Sequence, residues 1–267
     1  MADPYSDLAN VDLDMQTRIA DAMEARCLDS AQVAMRQSYL SGLSLPSGAR
    51  AVEFGSGTGH VTRDMMDMAG AAEALGIEPS PVMVERARER HGDIPGLSFQ
   101  TGDAAATGLP DASVDLVMMH TLLCHAPASG EIVAEAFRIL KSGGVVAVFD
   151  GDYDLTDVQI GDHDPLQPVI NYMIGVNVND RWLPRRLAPL LTDAGFVVMA
   201  RQAHGYLAEG DAAYFLTVVD RGADSLSAKG TIGAEMASAI KVEGRRRVEA
   251  SAFYGFMNYI SVIARKP

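Results

Sequence analysis

Cysteine is scarce in this sequence. Only Cys27 and Cys124 are present, in unrelated contexts, so neither a disulfide framework nor a paired-cysteine metal site can be built. A reducing, cytoplasmic setting fits. Basic residues are also few: 22 Lys and Arg stand against 35 Asp and Glu, for a formal charge of −13. That balance disfavours DNA, RNA or an anionic membrane surface as a partner. No apolar run approaches the roughly 20 residues needed to span a bilayer. The longest, such as Val145–Phe149, are strand-sized. The first residues, Met1-Ala2-Asp3-Pro4-Tyr5, have neither a basic start nor an apolar stretch, so no secretory leader is expected. Repeats and low-complexity segments are absent as well. What remains is an ordinary globular composition, 48% hydrophobic and 21% charged over 267 residues, which is ample for a buried core.

The first 45 or so residues read as helical, with Ile19, Met23, Cys27, Val33 and Tyr39 near helical spacing. Leu45-Pro46-Ser47-Gly48 breaks that pattern. Short apolar runs then alternate with helical stretches. Strands are expected at 51–54, 74–77, 97–101, 114–119 and 145–149. Helices are expected at 60–69, from Ser80-Pro81 to about Arg90, and along the stripe Ile132, Val133, Ala136, Phe137 and Leu140, which Gly143-Gly144 should end. The alternation argues for a parallel sheet with helices on both faces, and the uniformly apolar runs suit strands buried on both sides. Further on, 150–164 reads as an acidic, turn-rich segment. A helix over 182–194 should be kinked by Pro189 and closed by Gly195. A sixth strand is expected at 196–200, a helical excursion at 204–250 and a terminal strand at 256–264.

Chemistry concentrates after the first strand, in Val52-Glu53-Phe54-Gly55-Ser56-Gly57-Thr58-Gly59. Alternate glycines let the backbone turn sharply and approach a ligand at a helix start. A dinucleotide fingerprint would place its third glycine one residue later, where His60 stands. Glu53 would repel a pyrophosphate and suits a cationic ligand. Glu78 ends the next strand about 20 residues on, where a carboxylate can accept two hydrogen bonds from a ribose diol. Pro79 and Met83 follow, and Met83 suits packing against a purine. Gly102-Asp103-Ala104 closes the third strand, and an Asp there can accept from an adenine amine. Three acidic strand ends should converge on one crevice.

These motifs resemble those of class I S-adenosylmethionine-dependent methyltransferases, of a small-molecule type similar to the ubiquinone/menaquinone C-methyltransferases. The resemblance covers roughly residues 48–150. It rests on Glu53–Gly59, Gly76–Pro81, Gly102–Ala104 with Leu109-Pro110, Asp115–His125 and Leu140–Gly144, and more loosely on Ala194-Gly195-Phe196 and the terminal strand. Ser142 stands where the family usually has proline, and Phe54 and Ser56 replace commoner small residues of the glycine motif. The fold implied is α/β, a Rossmann-like doubly wound seven-stranded sheet with an antiparallel last strand, plus a helical cap. It forms one methyltransferase domain: 1–47 an N-terminal helical cap, 48–150 the cofactor-binding core, and 151–267 the substrate cap and C-terminal strands. The resemblance implies S-adenosyl-L-methionine as cofactor. Glu53 and Gly55, Ser56, Gly57 and Gly59 would face its methionine part. Glu78, with Pro79 and Met83, would take the ribose side, and Gly102, Asp103 and Ala104 the adenine. His120, Thr121 and His125 would lie near the methionine moiety or the substrate.

The function expected is methyl transfer to an O, N or C atom of a small organic acceptor in biosynthesis, with an apolar natural product one candidate. A general base would be His120 or Asp152, because imidazole titrates near neutrality. Arg26 and Tyr39 could close over the cofactor. Trp182, Tyr172, Tyr206, Tyr214 and Phe215 are candidates for an acceptor pocket. No metal is expected: Asp150, Asp152 and Asp154 begin like a calcium loop, but Leu155 and Gly161 stand where Gly and Glu are needed. Asp162-His163-Asp164 reads as a solvated turn, and Arg245-Arg246-Arg247 as a solvated helix face. The partner is a small-molecule acceptor, with no nucleic acid and no membrane, and a homodimer is compatible with the sequence. Two alternatives stand beside this. One is a non-methylating enzyme of the same fold, such as a cyclase or decarboxylase. The other is a non-catalytic partner subunit.

Overall fold

The computed structural model describes residues 3, 8–209 and 212–267. Two helices come first, α1 (Leu13–Leu28) and α2 (Ser30–Leu40). Asp12 caps α1 by accepting from the Met15 N–H at 2.9 Å. Asp29 ends α1 and starts α2, accepting from the Ala31 and Gln32 N–H groups, while its other oxygen takes the Tyr206 hydroxyl. One aspartate thus fixes the bend between two helices and ties it to the sheet.

The expected alternation follows as β1 (Arg50–Phe54), α3 (His60–Asp67), β2 (Glu73–Glu78), α4 (Pro81–His91), β3 (Leu97–Thr101), β4 (Val114–His120) and α5 (Ser129–Ile139). Ser80 caps α4 and Pro81 occupies its first position, where the missing N–H costs nothing. Then come β5 (Leu140–Asp157), α6 (Leu166–Asn177), a 3-10 turn at Leu183–Arg186, α7 (Leu187–Asp193), β6 (Val197–Ala208), α8 (Ala213–Ala228), α9 (Ala234–Glu249) and β7 (Gly255–Arg265).

The sheet has seven strands in the order β3-β2-β1-β4-β5-β7-β6. The first five are parallel, and β7 runs antiparallel to both β5 and β6. Helices α3 and α4 pack on β1–β3, and α5 and α7 on the β5–β7 side. Val52, Phe54, Leu116–Met119 and Val146–Phe149 are almost wholly buried, as continuous apolar strands between two helix layers must be. Among the described residues no helix is long and apolar enough to cross a membrane.

Five expectations need correction. The excursion expected from 204 begins as strand, because β6 continues to Ala208 in register with β7. Gly143-Gly144 does not end α5. That helix stops at Ile139, and the glycines lie inside β5, where the pairing with β4 shifts register between Val114 and Leu116. The segment from Asp150 is strand rather than turn as far as Asp157, because β7 supplies ladder partners and Arg185 answers the acidic side chains. Pro189 kinks nothing. The chain breaks earlier, at Arg186, and Pro189 falls in the first turn of α7 where no N–H is required. The acidic turn and the arginine run are not simply solvated. Arg247 and Asp164, both buried, form a two-bond ion pair at 2.7 and 3.1 Å, while Arg245 pairs with Asp220 and Arg246 with Glu243.

Candidate active site

A cleft opens at the carboxyl ends of β1, β2 and β4. One wall is made by the chain just beyond those strands: Gly55, Glu78, Pro79, His120, Thr121, Leu122 and His125. Ala22, Met23 and Arg26 of α1 cover it. The far end is an apolar chamber whose walls include Tyr153 from β5, Ile170, Met173 and Ile174 from α6, Tyr214, Phe215 and Val218 from α8, and Met257 from β7.

The glycine turn is built on strain that only glycine relieves. Gly55, Gly57 and Gly59 have φ of +68°, +50° and +85°. The Gly55 and Ser56 N–H groups donate to the Ile77 carbonyl, locking the turn to β2. A Cβ on Gly59 would sit 2.6 Å from the Phe99 ring, and one on Gly57 2.3 Å from Met23 Cε. Gly59 caps α3 in the left-handed region.

Glu78 is buried and accepts the Gly57 N–H at 3.0 Å on one oxygen and the Ser80 N–H at 3.1 Å on the other. Burial pushes its carboxyl up to about 7, and the two backbone donors pull the other way. Each carboxylate oxygen accepts two hydrogen bonds, so each keeps capacity for a ligand hydroxyl. A glycine turn without Cβ atoms beside a carboxylate of this kind fits the ribose and methionine parts of an adenosyl cofactor.

Glu53 lies elsewhere. It is buried under α3 and accepts from the Thr62 hydroxyl at 2.5 Å. Burial raises its carboxyl well above the usual range, with the Thr62 bond opposing. It is not on the cleft wall, nor are Ser56, Gly57, Gly59, Gly102, Asp103 or Ala104. Asp103 is exposed and accepts the Ala105 N–H at 2.8 Å. Met83 is fully buried in a small cluster with Leu8, Ile19 and Ala20. Asp152 is held by the Arg185 fork at 2.8 and 2.9 Å.

His120 ends β4 facing the cleft. Its ring lies flat on Phe149, its cross-strand neighbour, with centroids 4.6 Å apart and planes 3° apart. Its Nδ1 is 3.2 Å from the Tyr39 hydroxyl. Burial first, then the charges of Arg36 and Arg26, hold its pKa well below the usual value, so the imidazole is neutral. Thr121 follows at φ +52°, a costly value for a β-branched residue. The Thr121 N–H is bound by the Phe149 carbonyl, and the hydroxyl accepts from Arg26 Nη2 at 2.7 Å. His125 pairs through Nδ1 with Asp3 at 2.8 Å.

Of the aromatic candidates, Tyr214 and Phe215 line the chamber. Tyr206 is buried beside Phe215, Tyr172 lies under the Lys229 ammonium and Trp182 under the Arg181 guanidinium. Sequence reasoning missed Met23, Leu122, Tyr153 and the α6 residues. Nothing local marks them, because their place depends on how α1, β5 and α6 cross. Among the described residues no group of three His, Cys, Asp or Glu could hold a metal ion, and Cys27 and Cys124 are free and buried.

Residues 52–148 match the family described as a methyltransferase domain. The trans-aconitate 2-methyltransferase of Variovorax paradoxus is 30% identical over 112 residues, 42% of each chain. A sterol 24-C-methyltransferase of Aspergillus fumigatus is 31% identical over 122 residues, 44% of this chain and 32% of that protein. The chain thus spans less than half the length of these curated relatives, and neither is a quinone C-methyltransferase. Among solved structures, the [4+2]-cyclase SpnF aligns with a TM-score of 0.57 at 19% identity, over 88% of this chain and 82% of that one. A phosphoethanolamine N-methyltransferase of Haemonchus contortus, in complex with phosphomonomethylethanolamine and S-adenosylhomocysteine, aligns with a TM-score of 0.54 at 16% identity, over 88% and 53%. At such identities these structures speak for the fold alone. With the glycine turn, the sheet order and the matched segment in agreement, residues 52–148 carry a methyltransferase domain, set in a sheet of the Rossmann-like methyltransferase type.

Proposed function

We propose that the protein transfers the methyl group of S-adenosylmethionine to a small organic acceptor seated in the apolar chamber. The observation that carries this is Glu78, a buried carboxylate at the end of β2, facing the cleft and braced by the glycine turn. In this reading Glu78 and Pro79 receive the ribose, and Gly55 with the turn through Gly59 lies along the methionine part. Thr121 and His125 complete the wall, while Gly102, Asp103 and Ala104, which lie off it at the end of β3, are assigned the outer adenine edge. Bound S-adenosylmethionine supplies an electrophilic methyl group on a sulfonium. The protein's share is alignment and exclusion of water, which accounts for much of the rate in such a displacement. Where the acceptor is a hydroxyl or acidic C–H, His120 is the candidate base, a weak one because burial and the Arg36 and Arg26 charges disfavour its protonated form. Asp152 is a poorer base, because Arg185 already occupies its carboxylate. Two free, buried cysteines favour a cytoplasmic setting.

Calorimetric titration with S-adenosylmethionine and S-adenosylhomocysteine tests the reading. Wild type should bind both, and Glu78→Ala should weaken binding by about 1–3 kcal/mol, the size of lost hydrogen bonds to a charged group. No binding by folded wild type overturns it. Incubation with candidate acceptors, read by formation of S-adenosylhomocysteine, separates methyl transfer from a cyclase-like reaction that leaves the cofactor unconsumed.

A further inference from the structure

Three arginines are buried among the described residues, and among those residues only two have a partner anion. Arg36 pairs with Asp64, and Arg247 with Asp164. Arg26 is only 8% exposed and lines the cleft, yet its one hydrogen bond among the described residues goes to the neutral hydroxyl of Thr121, at 2.7 Å. Its Nε is buried without a partner. The ionisable groups closest to it in effect are phenols and a thiol, Tyr214, Tyr153, Cys27 and Tyr259, all neutral at ordinary pH. A guanidinium cannot shed its proton to escape such surroundings, so the fold bears the cost of desolvating a cation with no counter-charge. The planar fork of N–H donors is the group best matched to a carboxylate.

We propose that Arg26 is the carboxylate-binding residue of the cleft. A ligand bound there places a carboxylate against the guanidinium, at the junction between the glycine-turn wall and the apolar chamber. This rests on reading the cleft as the cofactor and acceptor site. Two carboxylates share the required chemistry: the α-carboxylate of the cofactor's methionine part, and a carboxylate on an acceptor whose apolar body fills the chamber against Ile170, Met173 and Phe215.

Wild type, Arg26→Met and Arg26→Lys are titrated with S-adenosylhomocysteine and with 5′-methylthioadenosine, which lacks the amino-acid part. They are also titrated with decanoate and with decan-1-ol, a chamber-sized acid and its neutral counterpart. If the cofactor supplies the carboxylate, Arg26→Met weakens S-adenosylhomocysteine by about 30-fold, as loss of a charge-assisted pair predicts, and leaves methylthioadenosine unchanged. If the acceptor supplies it, both nucleosides bind as before, and decanoate loses affinity while decan-1-ol does not. Arg26→Lys recovers part of either loss. The ligand-free melting midpoint of Arg26→Met should equal or exceed that of wild type, because an unpaired buried charge has been removed. Two results overturn the proposal. One is an Arg26→Met protein that binds S-adenosylhomocysteine and decanoate as wild type does. The other is a lowered ligand-free midpoint with all affinities unchanged, which marks a structural arginine. Should wild type bind no S-adenosylhomocysteine, the methyltransferase reading fails by itself, and the decanoate and decan-1-ol pair still decides the role of Arg26.

Discussion

The hydroxyl of Tyr39, on α2, lies 3.2 Å from Nδ1 of His120, the last residue of β4. This bond orients an imidazole already clamped against Phe149, and its surroundings keep that imidazole neutral. In long-range ¹H–¹⁵N spectra the ring signals of His120 should therefore hold steady from about pH 6 to about pH 8, where an unperturbed histidine titrates. Tyr39→Phe should cost about 1 kcal/mol in urea unfolding, the worth of one hydrogen bond, and change the ¹⁵N shift pattern of the ring. A full titration of His120 in that window would contradict this account of the site.

Glu78 makes apoprotein and complex respond oppositely to pH. Its carboxyl is raised by burial to about 7. A raised carboxyl stabilises the ligand-free fold below the unfolded value, and that stability is lost as pH rises through about 7. Ligand hydroxyls prefer the ionised form. Affinity for S-adenosylhomocysteine should therefore rise about three- to fourfold between roughly pH 6 and pH 8, for a gain near 1 kcal/mol in hydrogen-bond strength. Glu78→Gln should flatten that profile.

Gly59 carries both a conformational and a packing demand. Its φ is +85°, and a Cβ would meet the Phe99 ring at 2.6 and 2.7 Å and the Ala87 methyl at 3.1 Å. Gly48 has a similar φ of +75° with nothing within 4 Å. Gly48→Ala should cost about 1 kcal/mol, the strain alone. Gly59→Ala should cost roughly 2–4 kcal/mol, because overpacking adds to it. Equal losses in chemical denaturation would mean that the Phe99 contact yields freely.

The Arg247–Asp164 pair fastens α9 to the turn before α6. Its side chains are 4% and 2% exposed. Arg247→Met strands a buried carboxylate, and about 3–5 kcal/mol should be lost. Adding Asp164→Asn removes the charge but keeps an acceptor for only one of the Ile160 and Leu166 N–H groups, which bond to different carboxylate oxygens, so only part of that loss should be recovered. A single substitution costing under about 1 kcal/mol would show the pair to be well solvated.

Acid sensitivity should arise at His60 and His91, whose rings meet edge to face at 5.1 Å. Burial, then His91, lowers the His60 pKa to about 4, and burial lowers that of His91 too. The fold thus favours the neutral rings. Their stabilising contribution is full above the ordinary value of 6.5 and is lost as pH falls toward 4. Urea midpoints at about pH 7 and pH 5 should differ by roughly 1–2 kcal/mol from His60, and His60→Gln should narrow the gap.

Much of the Rossmann-like core was legible because its central strands are short, largely apolar runs, such as Val145–Phe149. Leu97–Thr101 fell where the sequence placed it although it alternates Leu-Ser-Phe-Gln-Thr, as suits the strand at the sheet edge. Glu78 was legible by its distance from the glycine turn. The outer half was not. Asp150-Gly151-Asp152-Tyr153-Asp154 has the composition of a loop, and only antiparallel pairing with β7, more than a hundred residues on, makes it strand. Arg26, Met23 and Tyr153 meet only because three distant elements cross at one cleft, and no local pattern records such a crossing.

The place of β7 has a consequence for biosynthesis of the chain. It is the seventh strand made, yet it lies between the fifth and the sixth. Until Gly255–Arg265 emerges from the ribosome, the sheet exists as a five-stranded half ending at Val145–Phe149 and an orphan β6. That half exposes an apolar, unpaired edge, the template on which nascent chains stick to one another. Slow translation through α8 and α9 would prolong that interval, so the yield of soluble protein should depend on the speed at which the cap is synthesised as well as on the stability of the finished fold.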